Sequence, residues 1–182
     1  MRVAAIDIGT NSVHLLVAEV SDLGAVSIIE KARQQVELGA GGLNASRLTD
    51  AAWERGISTL RTFAKTASSL GALDVVAMAT SAVREAENGA DFCRAVRQET
   101  GIHVHIIPGT EEARLIWMGA SRDIDYSRGP ALIIDLGGGS VEFVHCQHDE
   151  MLTALSLPLG HIRMTERFGQ PRDKHLADLR AH

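Results

Sequence analysis

The sequence is poor in cysteine, in basic clusters and in long apolar runs, and each scarcity excludes a class of protein. Its two cysteines, Cys93 and Cys146, lie far apart and fit no metal-ligand spacing, so we expect two reduced, small apolar side chains. There is no run of about eighteen apolar residues and no basic leader followed by an apolar stretch. These absences predict a cytoplasmic protein with no membrane partner.

The charge and the histidines exclude two further classes. A formal net charge of −5 without clustered basic residues argues against a nucleic-acid partner. His103 and His105 alternate with apolar residues as in a half-buried strand, and no third ligand lies nearby in the sequence. His145, Cys146 and His148 look like a zinc fragment, but neighbouring strand residues point to opposite faces. We therefore expect no metal at either place.

Residues 4–19 and 131–146 form an internal repeat. Their sequences are AAIDIGTNSVHLLVAE and ALIIDLGGGSVEFVHC. With Asp7 placed on Asp135, the copies also agree at Gly9 and Gly137, at Ser12 and Ser140, and at Val13 and Val141. Each copy predicts a buried strand with an acidic residue at its end, a tight loop of small residues, and a second strand running back.

Both loops have the composition of a phosphate-binding site. Glycine has no Cβ, so backbone N–H groups can turn inward and approach an anion closely, while short polar side chains add donors. The candidate phosphate-binding residues are Gly9, Thr10, Asn11 and Ser12 in the first copy and Gly137, Gly138, Gly139 and Ser140 in the second. Asp7 and Asp135 beside phosphate make sense with a cation between them, and an oxygen-only shell suits Mg²⁺. The alternative is two ordinary hairpin turns with positive φ.

The first copy begins a predicted antiparallel meander, whose third strand covers residues 25–36. The glycine-rich residues 38–44 should form a loose loop. A long helix should follow, with Thr49 as its N-cap and Gly71 as its C-terminal stop.

Residues 73–79 predict a short strand that delivers Ser81 and Arg84 at its C-terminal end, where α/β sheets bind ligands. The arginine fork could grip a phosphate there, and we predict phosphate contacts for both residues. An ion pair of Arg84 with Glu85 or Glu87 on its own helix is an equal alternative.

A helix predicted after Pro108 opens with Glu111 and Glu112. Acidic residues in a first helical turn normally complement the helix dipole. The two side chains lie about 100° apart around the helix, so only one can face a given cleft. The spacing does not choose between them.

The polar residues 121–129 have no apolar period and predict the domain boundary. We expect a first domain over residues 1–125 and the start of a second over residues 126–182. The second copy continues with strands at 141–145 and 151–157 and with helices at 162–168 and from Pro171. It lacks the helices and strands that follow the first copy, so we expect the second domain to be cut short.

Five stretches, in order, carry a resemblance: AAIDIGTNSVHLLVAEV, ATSAVREAEN, GTEEARLIWMG, IDLGGGSVEF and SLPLGHIRMTERF. Together they resemble the exopolyphosphatase and guanosine-pentaphosphatase family, a branch of the superfamily of actin, sugar kinases and heat-shock ATPases. The departures are Thr10, where serine is usual, and Val141, where threonine is usual. The resemblance implies an α/β protein of the actin-like ATPase (ribonuclease H-like) fold.

The resemblance also implies roles for the candidate residues. Glu112 falls on the family's catalytic base, and Asp135 and Glu142 fall on its magnesium ligands, with a smaller share for Asp7. The loop residues and Arg84 fall on phosphate-binding positions. The implied reaction is hydrolysis of a terminal phosphoanhydride of polyphosphate or guanosine pentaphosphate, with release of orthophosphate.

Two other functions use the same loops: a kinase of the same superfamily, and a non-catalytic binder of a phosphorylated nucleotide. The sequence does not choose between polyphosphate and guanosine pentaphosphate. Because the second meander has exposed edges and few covering helices, we expect the 182-residue chain to hydrolyse weakly and to form a homodimer.

Overall fold

The structure is a computed structural model that describes residues 1–148 and 150–169. It divides the chain into two compact units, Met1–Ile106 and Ile107–His182. The helix predicted from Pro171 lies outside the described residues. In the described ranges, no helix combines the length and the apolar character needed to cross a membrane.

The first unit is built on a five-stranded sheet. Its strands are β1 (Arg2–Ile8), β2 (Ser12–Val20), β3 (Val26–Gln35), β4 (Asp74–Ala79) and β5 (Val104–Ile106), in the order β3-β2-β1-β4-β5. The predicted meander β1–β3 is antiparallel, whereas β4 and β5 run parallel to β1. Strand alternation buries Ile6, Ile8 and Leu15 in the core and leaves Asp7 on the opposite face.

Three helices complete this unit: α1 (Asp50–Ser69), α2 (Ser81–Arg84) and α3 (Gly89–Thr100). The predicted N-cap is confirmed, because Thr49 Oγ1 accepts a hydrogen bond from Ala52 N. Helices α1 and α3 pack closely at Gly56, where an added Cβ would lie 2.9 Å from the Phe92 ring. The start of α1 thus follows capping chemistry that is visible in the sequence.

The segment between β3 and α1 is packed, so the prediction of a loose loop over residues 38–44 was wrong. Leu38 and Leu48 are fully buried, and Leu43 is nearly so. The buried side chain of Asn88 ties down the end of this segment: its Oδ1 accepts from Leu48 N at 2.9 Å, and its Nδ2 donates to Leu48 O at 3.0 Å. Local composition missed these contacts because they are made with distant residues.

Replacing Asn88 by alanine should therefore destabilise the protein. It leaves a buried N–H and a buried C=O of Leu48 without their partner, at about 1–3 kcal/mol for each lost group. Urea denaturation should show a lower midpoint with an unchanged slope. The exposed Asn44→Ala is the control and should change the unfolding free energy by less than about 0.5 kcal/mol. Equal effects of the two substitutions would contradict this role of Asn88.

The second unit begins with α4 (Gly109–Ala120), followed by short 3₁₀ turns, the strands β6 (Ala131–Leu136), β7 (Val141–Gln147) and β8 (Glu150–Leu157), and the helix α5 (His161–Phe168). The three strands form an antiparallel sheet in the order β6-β7-β8. Helix α4 covers one face, where Ala113 is buried with Val144 and Cys146. Because α4 packs on this sheet, the units divide after Ile106, earlier than the boundary predicted after residue 125.

Candidate functional site

The loop of the first repeat copy turns between β1 and β2. Gly9 N donates to Ser12 O at 3.1 Å and closes the turn. The carbonyl oxygens of Thr10 and Asn11 are bound by the buried segment after β3. Thr10 O accepts from Gly39 N at 3.0 Å, and Asn11 O accepts from Val36 N at 3.0 Å and Glu37 N at 2.8 Å. The packed segment therefore holds the back of the loop.

The loop of the second copy repeats this design. Gly137 N donates to Ser140 O at 3.0 Å, as in the first copy. The carbonyl oxygens of the next residues are again bound from behind, here by the N-terminal turn of α5. The donors are Gly160 N to Gly139 O, His161 N to Gly137 O, and Ile162 N and Arg163 N to Gly138 O.

Binding of the carbonyls turns the adjacent N–H groups the other way. Among residues 1–148 and 150–169, the structure shows no acceptor for the backbone N–H groups of Thr10, Asn11, Gly138 and Gly139. None of the residues in either loop has a positive φ, so the alternative of positive-φ hairpin turns was wrong. The first glycine is needed for close approach instead: a Cβ at Gly9 would lie 2.9 Å from Ser12 O. Free inward N–H groups suit an anion.

Arg33 lies at the first loop and was missed by the sequence reasoning. Its Nε and Nη2 both donate to Ser12 Oγ, at 3.2 and 3.1 Å. With both lone pairs engaged, the Ser12 hydroxyl is left to donate its own proton. In the sheet register, Asp7 lies opposite His14, and His14 lies opposite Arg33. Extending the strand alternation to β3 would have placed Arg33 beside this loop.

The end of β4 lies beside the end of β1, since Thr80 N donates to Ile8 O at 3.2 Å. Ser81 and Arg84 therefore belong to the same edge of the sheet as the first loop. The Ser81 hydroxyl is 1% exposed and donates to Glu85 Oε1 at 2.7 Å, so it is already engaged. Arg84 is half-buried at the end of α2. A phosphate contact of either residue stays a prediction.

In the second unit, Asp135 and Glu142 lie directly opposite each other on β6 and β7, so their side chains share one face. Glu142 is 1% exposed, and its Oε1 accepts from Ser156 Oγ at 2.7 Å. A buried carboxylate with one oxygen fixed, next to a second carboxylate, fits a hard cation such as Mg²⁺. Within the described residues, no three acidic, histidine or cysteine side chains converge as a metal site.

The first turn of α4 separates the two candidate glutamates. Both oxygens of Glu111 accept from the Arg114 guanidinium at 2.7 Å, and this hydrogen bonding lowers the pKa of Glu111. Glu112 is half-buried and directly precedes Ala113, which packs on the sheet. An ion-paired carboxylate with a lowered pKa is a poor proton acceptor. Glu111 is therefore a poor candidate for the base, and the role of Glu112 stays a prediction.

The alternation predicted for neighbouring residues of β7 is confirmed. His145 is exposed and Cys146 is buried, on opposite faces, and Cys146 Sγ lies 3.5 Å from Tyr126 Oη. His103 Nδ1 and His105 Nε2 lie 3.1 Å apart on the surface. In the part of the chain that the structure describes, neither place joins a metal cluster.

Each unit thus carries candidate site residues of its own. The first has Asp7, the first loop, Arg33 and Arg84, and the second has Glu112, the second loop, Asp135 and Glu142. Backbone N–H groups and arginines are chemically suited to phosphate oxygens, and carboxylates to a cation or a proton.

Comparison with known proteins identifies the fold. An exopolyphosphatase from Cytophaga hutchinsonii matches with a TM-score of 0.95 at 30% identity, over 100% of this chain and 59% of that one. The ethanolamine utilization protein EutJ from Carboxydothermus hydrogenoformans matches at 15% identity with a TM-score of 0.55, over 97% of this chain and 60% of that one. The chain has the actin-like ATPase fold that was predicted.

Relatives identified by sequence are exopolyphosphatases as well. "Exopolyphosphatase 1" of Mycobacterium leprae is 36% identical over 168 residues, 92% of this chain and 50% of the relative. The protein of the same name from Mycobacterium tuberculosis strain H37Rv is 37% identical, over 92% of this chain and 49% of the relative. The chain therefore spans about half the length of these relatives. The sequence profile of the Ppx/GppA phosphatase family matches residues 16–178, so the chain belongs to that family.

Proposed function

We propose that the protein is a cytoplasmic, magnesium-dependent phosphoanhydride hydrolase that releases terminal orthophosphate from inorganic polyphosphate, guanosine pentaphosphate or both. One observation carries the proposal: two loops of the same design each turn free backbone N–H groups away from their bound carbonyls. Each loop on its own suits a phosphate group. The exopolyphosphatase names of the relatives support the polyphosphate substrate.

We assign the candidate residues different roles in the reaction. Phosphoryl transfer spreads negative charge over the equatorial oxygens, so catalysis rests on positioning and on electrostatic stabilisation. In the first unit, the loop N–H groups, the Ser12 hydroxyl and the Arg84 guanidinium would bind phosphate oxygens, and in the second unit the loop N–H groups would do so. Glu112 would take the proton of the attacking water. Asp135 and Glu142 would hold Mg²⁺, which supplies charge neutralisation when bound.

Phosphate release measured side by side on polyphosphate and on guanosine pentaphosphate, with Mg²⁺, tests the proposal. We expect release from at least one substrate. ATP turnover with a sugar acceptor but no polyphosphate hydrolysis would show a kinase instead. Binding of both compounds without any phosphate release would show a non-catalytic binder.

Asp135→Asn should raise the Mg²⁺ concentration needed for half-maximal phosphate release by about tenfold or more. Loss of a residue that only supports a metal ligand typically lowers metal affinity by about 10- to 100-fold, so loss of a ligand's charge should lower it at least as much. The substitution keeps the shape of the side chain and removes its charge. Asp123→Asn, on an exposed turn of the same unit, is the control and should leave the requirement unchanged. An unchanged Mg²⁺ requirement in Asp135→Asn would remove Asp135 from the ligand set.

A further inference from the structure

The N-terminal turn of α5 is capped by the second phosphate loop. The first N–H groups of a helix have no partner within the helix and need external acceptors. The N-cap of α5 is Gly160, which has no side chain to serve as one. The carbonyl oxygens of Gly137, Gly138 and Gly139 accept from residues 160–163 instead, at 2.9–3.2 Å. The loop carbonyl groups and the first N–H groups of α5 therefore serve as each other's hydrogen-bond partners.

Two side chains of the same turn add a second bond to this contact. Arg163 Nε donates to Gly139 O at 2.8 Å, and His161 Nδ1 donates to Gly137 O at 2.9 Å. The oxygens of Gly137 and Gly139 then each accept two hydrogen bonds, which matches their two lone pairs. The bond from Arg163 carries the charge of the guanidinium and is the stronger type. It holds the peptide plane between Gly139 and Ser140.

Gly160 brings the helix close enough for these bonds. A Cβ at this position would lie 2.3 Å from Gly138 C and 2.4 Å from both Gly138 O and Gly139 C. All three atoms are backbone atoms of the loop, so a larger residue would have to displace the loop itself. The loop and the start of α5 thus form one tightly joined unit.

We propose that Arg163 is a positioning residue of the phosphate site. Its side chain fixes the peptide between Gly139 and Ser140 against α5, and with it the conformation of the loop whose Gly138 and Gly139 N–H groups would bind the anion. The proposal rests on the proposed function for the identity of the anion, a phosphoanhydride chain. Arg163 acts through the loop backbone and not on the reacting atoms.

A purely structural role makes a different prediction. If Arg163 only stabilised α5, its loss would lower the melting temperature while the folded protein kept its affinity for phosphate. A positioning role predicts weaker phosphate binding in protein that is still folded. The two roles are separated by measuring binding and melting on the same samples.

Amide NMR of the ¹⁵N-labelled 182-residue chain tests the proposal with tripolyphosphate and Mg²⁺ as the probe. In the wild-type chain, the Gly138 and Gly139 amide signals should shift and saturate. In Arg163→Gln, half-saturation should need about tenfold more tripolyphosphate. Loss of a residue that orients a ligand-binding group, without touching the ligand, typically weakens binding by about 10- to 100-fold at metal sites. Arg167→Gln, which removes the same charge one turn later on α5, should leave half-saturation unchanged.

The proposal would be overturned if Arg163→Gln and wild type reached half-saturation at the same tripolyphosphate concentration. It would also be overturned if the Gly138 and Gly139 amide signals of the wild-type chain did not shift on addition of tripolyphosphate. If Arg163→Gln fails to fold, Arg163→Lys replaces it, since lysine keeps the charge but has no planar Nε–H group. Lysine with wild-type half-saturation would then overturn it. Tripolyphosphate binding without hydrolysis would contradict the proposed hydrolase activity but not the positioning role of Arg163.

Discussion

Glu112→Gln is expected to lower the rate of phosphate release by about a hundred- to ten-thousandfold, the usual cost of losing a general base. Glutamine keeps the size and polarity of the side chain but cannot accept the proton of the attacking water. Substrate binding should therefore persist, because the loops that contact the phosphates are untouched. Initial rates on polyphosphate, together with tripolyphosphate affinity, measure the two properties separately.

Glu111→Gln is the matched control, since it makes the same chemical change one residue earlier. Glu111 is engaged by Arg114 through both oxygens, and its lowered pKa makes it a poor base. We expect a rate within about twofold of wild type, since surface substitutions away from special features usually have small effects. A large loss in Glu111→Gln with a small one in Glu112→Gln would reverse the assignment.

The repeat explains why much of the site was predictable. Aligning Asp7 with Asp135 also aligns Gly9 with Gly137, and the structure shows the same turn-closing bond in both copies. Strand alternation and the length of each apolar run were enough to predict the meanders that carry the loops. A local pattern of this kind is set by neighbouring residues, which the sequence displays directly.

The contacts that hold the loop carbonyl groups could not be predicted in the same way. They are made by residues 36–39 in the first copy and 160–163 in the second, which follow their loops at a distance along the chain. Glycine at 39 and 160 looks like a turn residue in sequence, yet a Cβ at Gly39 would meet the side chains of Thr10 and Leu43, and one at Gly160 would meet the backbone of the second loop. Such contacts depend on tertiary packing, which composition does not display.

The assignment of α4 failed for a related reason. A polar stretch after the helix suggested that the helix belongs to the first domain. In the structure, Ala113 is fully buried against β7, and this packing joins α4 to the second sheet. Polar linkers indicate where a chain is exposed, but they do not show which sheet an amphipathic helix covers.

The face of the second sheet opposite α4 has a different chemistry. Leu132, Ile134 and Leu136 on β6 are 57–62% exposed, and Leu155 on β8 is 44% exposed. The residues paired with them are Val141, Phe143, His145, Thr153 and Leu157, none of which is acidic, lysine or arginine. By strand alternation, the pair Gln147 and Glu150 at the end of the sheet lies on the same face. An apolar face of this kind favours burial against another surface.

We propose that a second copy of the chain covers this face, as the predicted homodimer requires. Among the described residues, Glu150 at the end of the sheet is the one acidic side chain on this face, so the apolar part formed by Leu132, Ile134 and Leu136 can meet its own copy without like-charge repulsion. Within the described ranges, no further strand pairs with the outer edges of β6 and β8. Sedimentation should therefore show a concentration-dependent dimer of the 182-residue chain.

Ile134→Glu should weaken this dimer by about a hundredfold or more, because a symmetric interface meets the change twice and each lost isoleucine contact is worth about 1.5–3 kcal/mol. The substitution lies on the face opposite Asp135 and should spare the candidate metal ligands. Leu23→Glu is the control: this leucine is 97% exposed on a turn of the other unit, so the added charge should leave the dimerisation constant unchanged. A wild-type chain that sediments as a monomer at every concentration, or an Ile134→Glu dimer as stable as wild type, would show that a second copy does not cover this face.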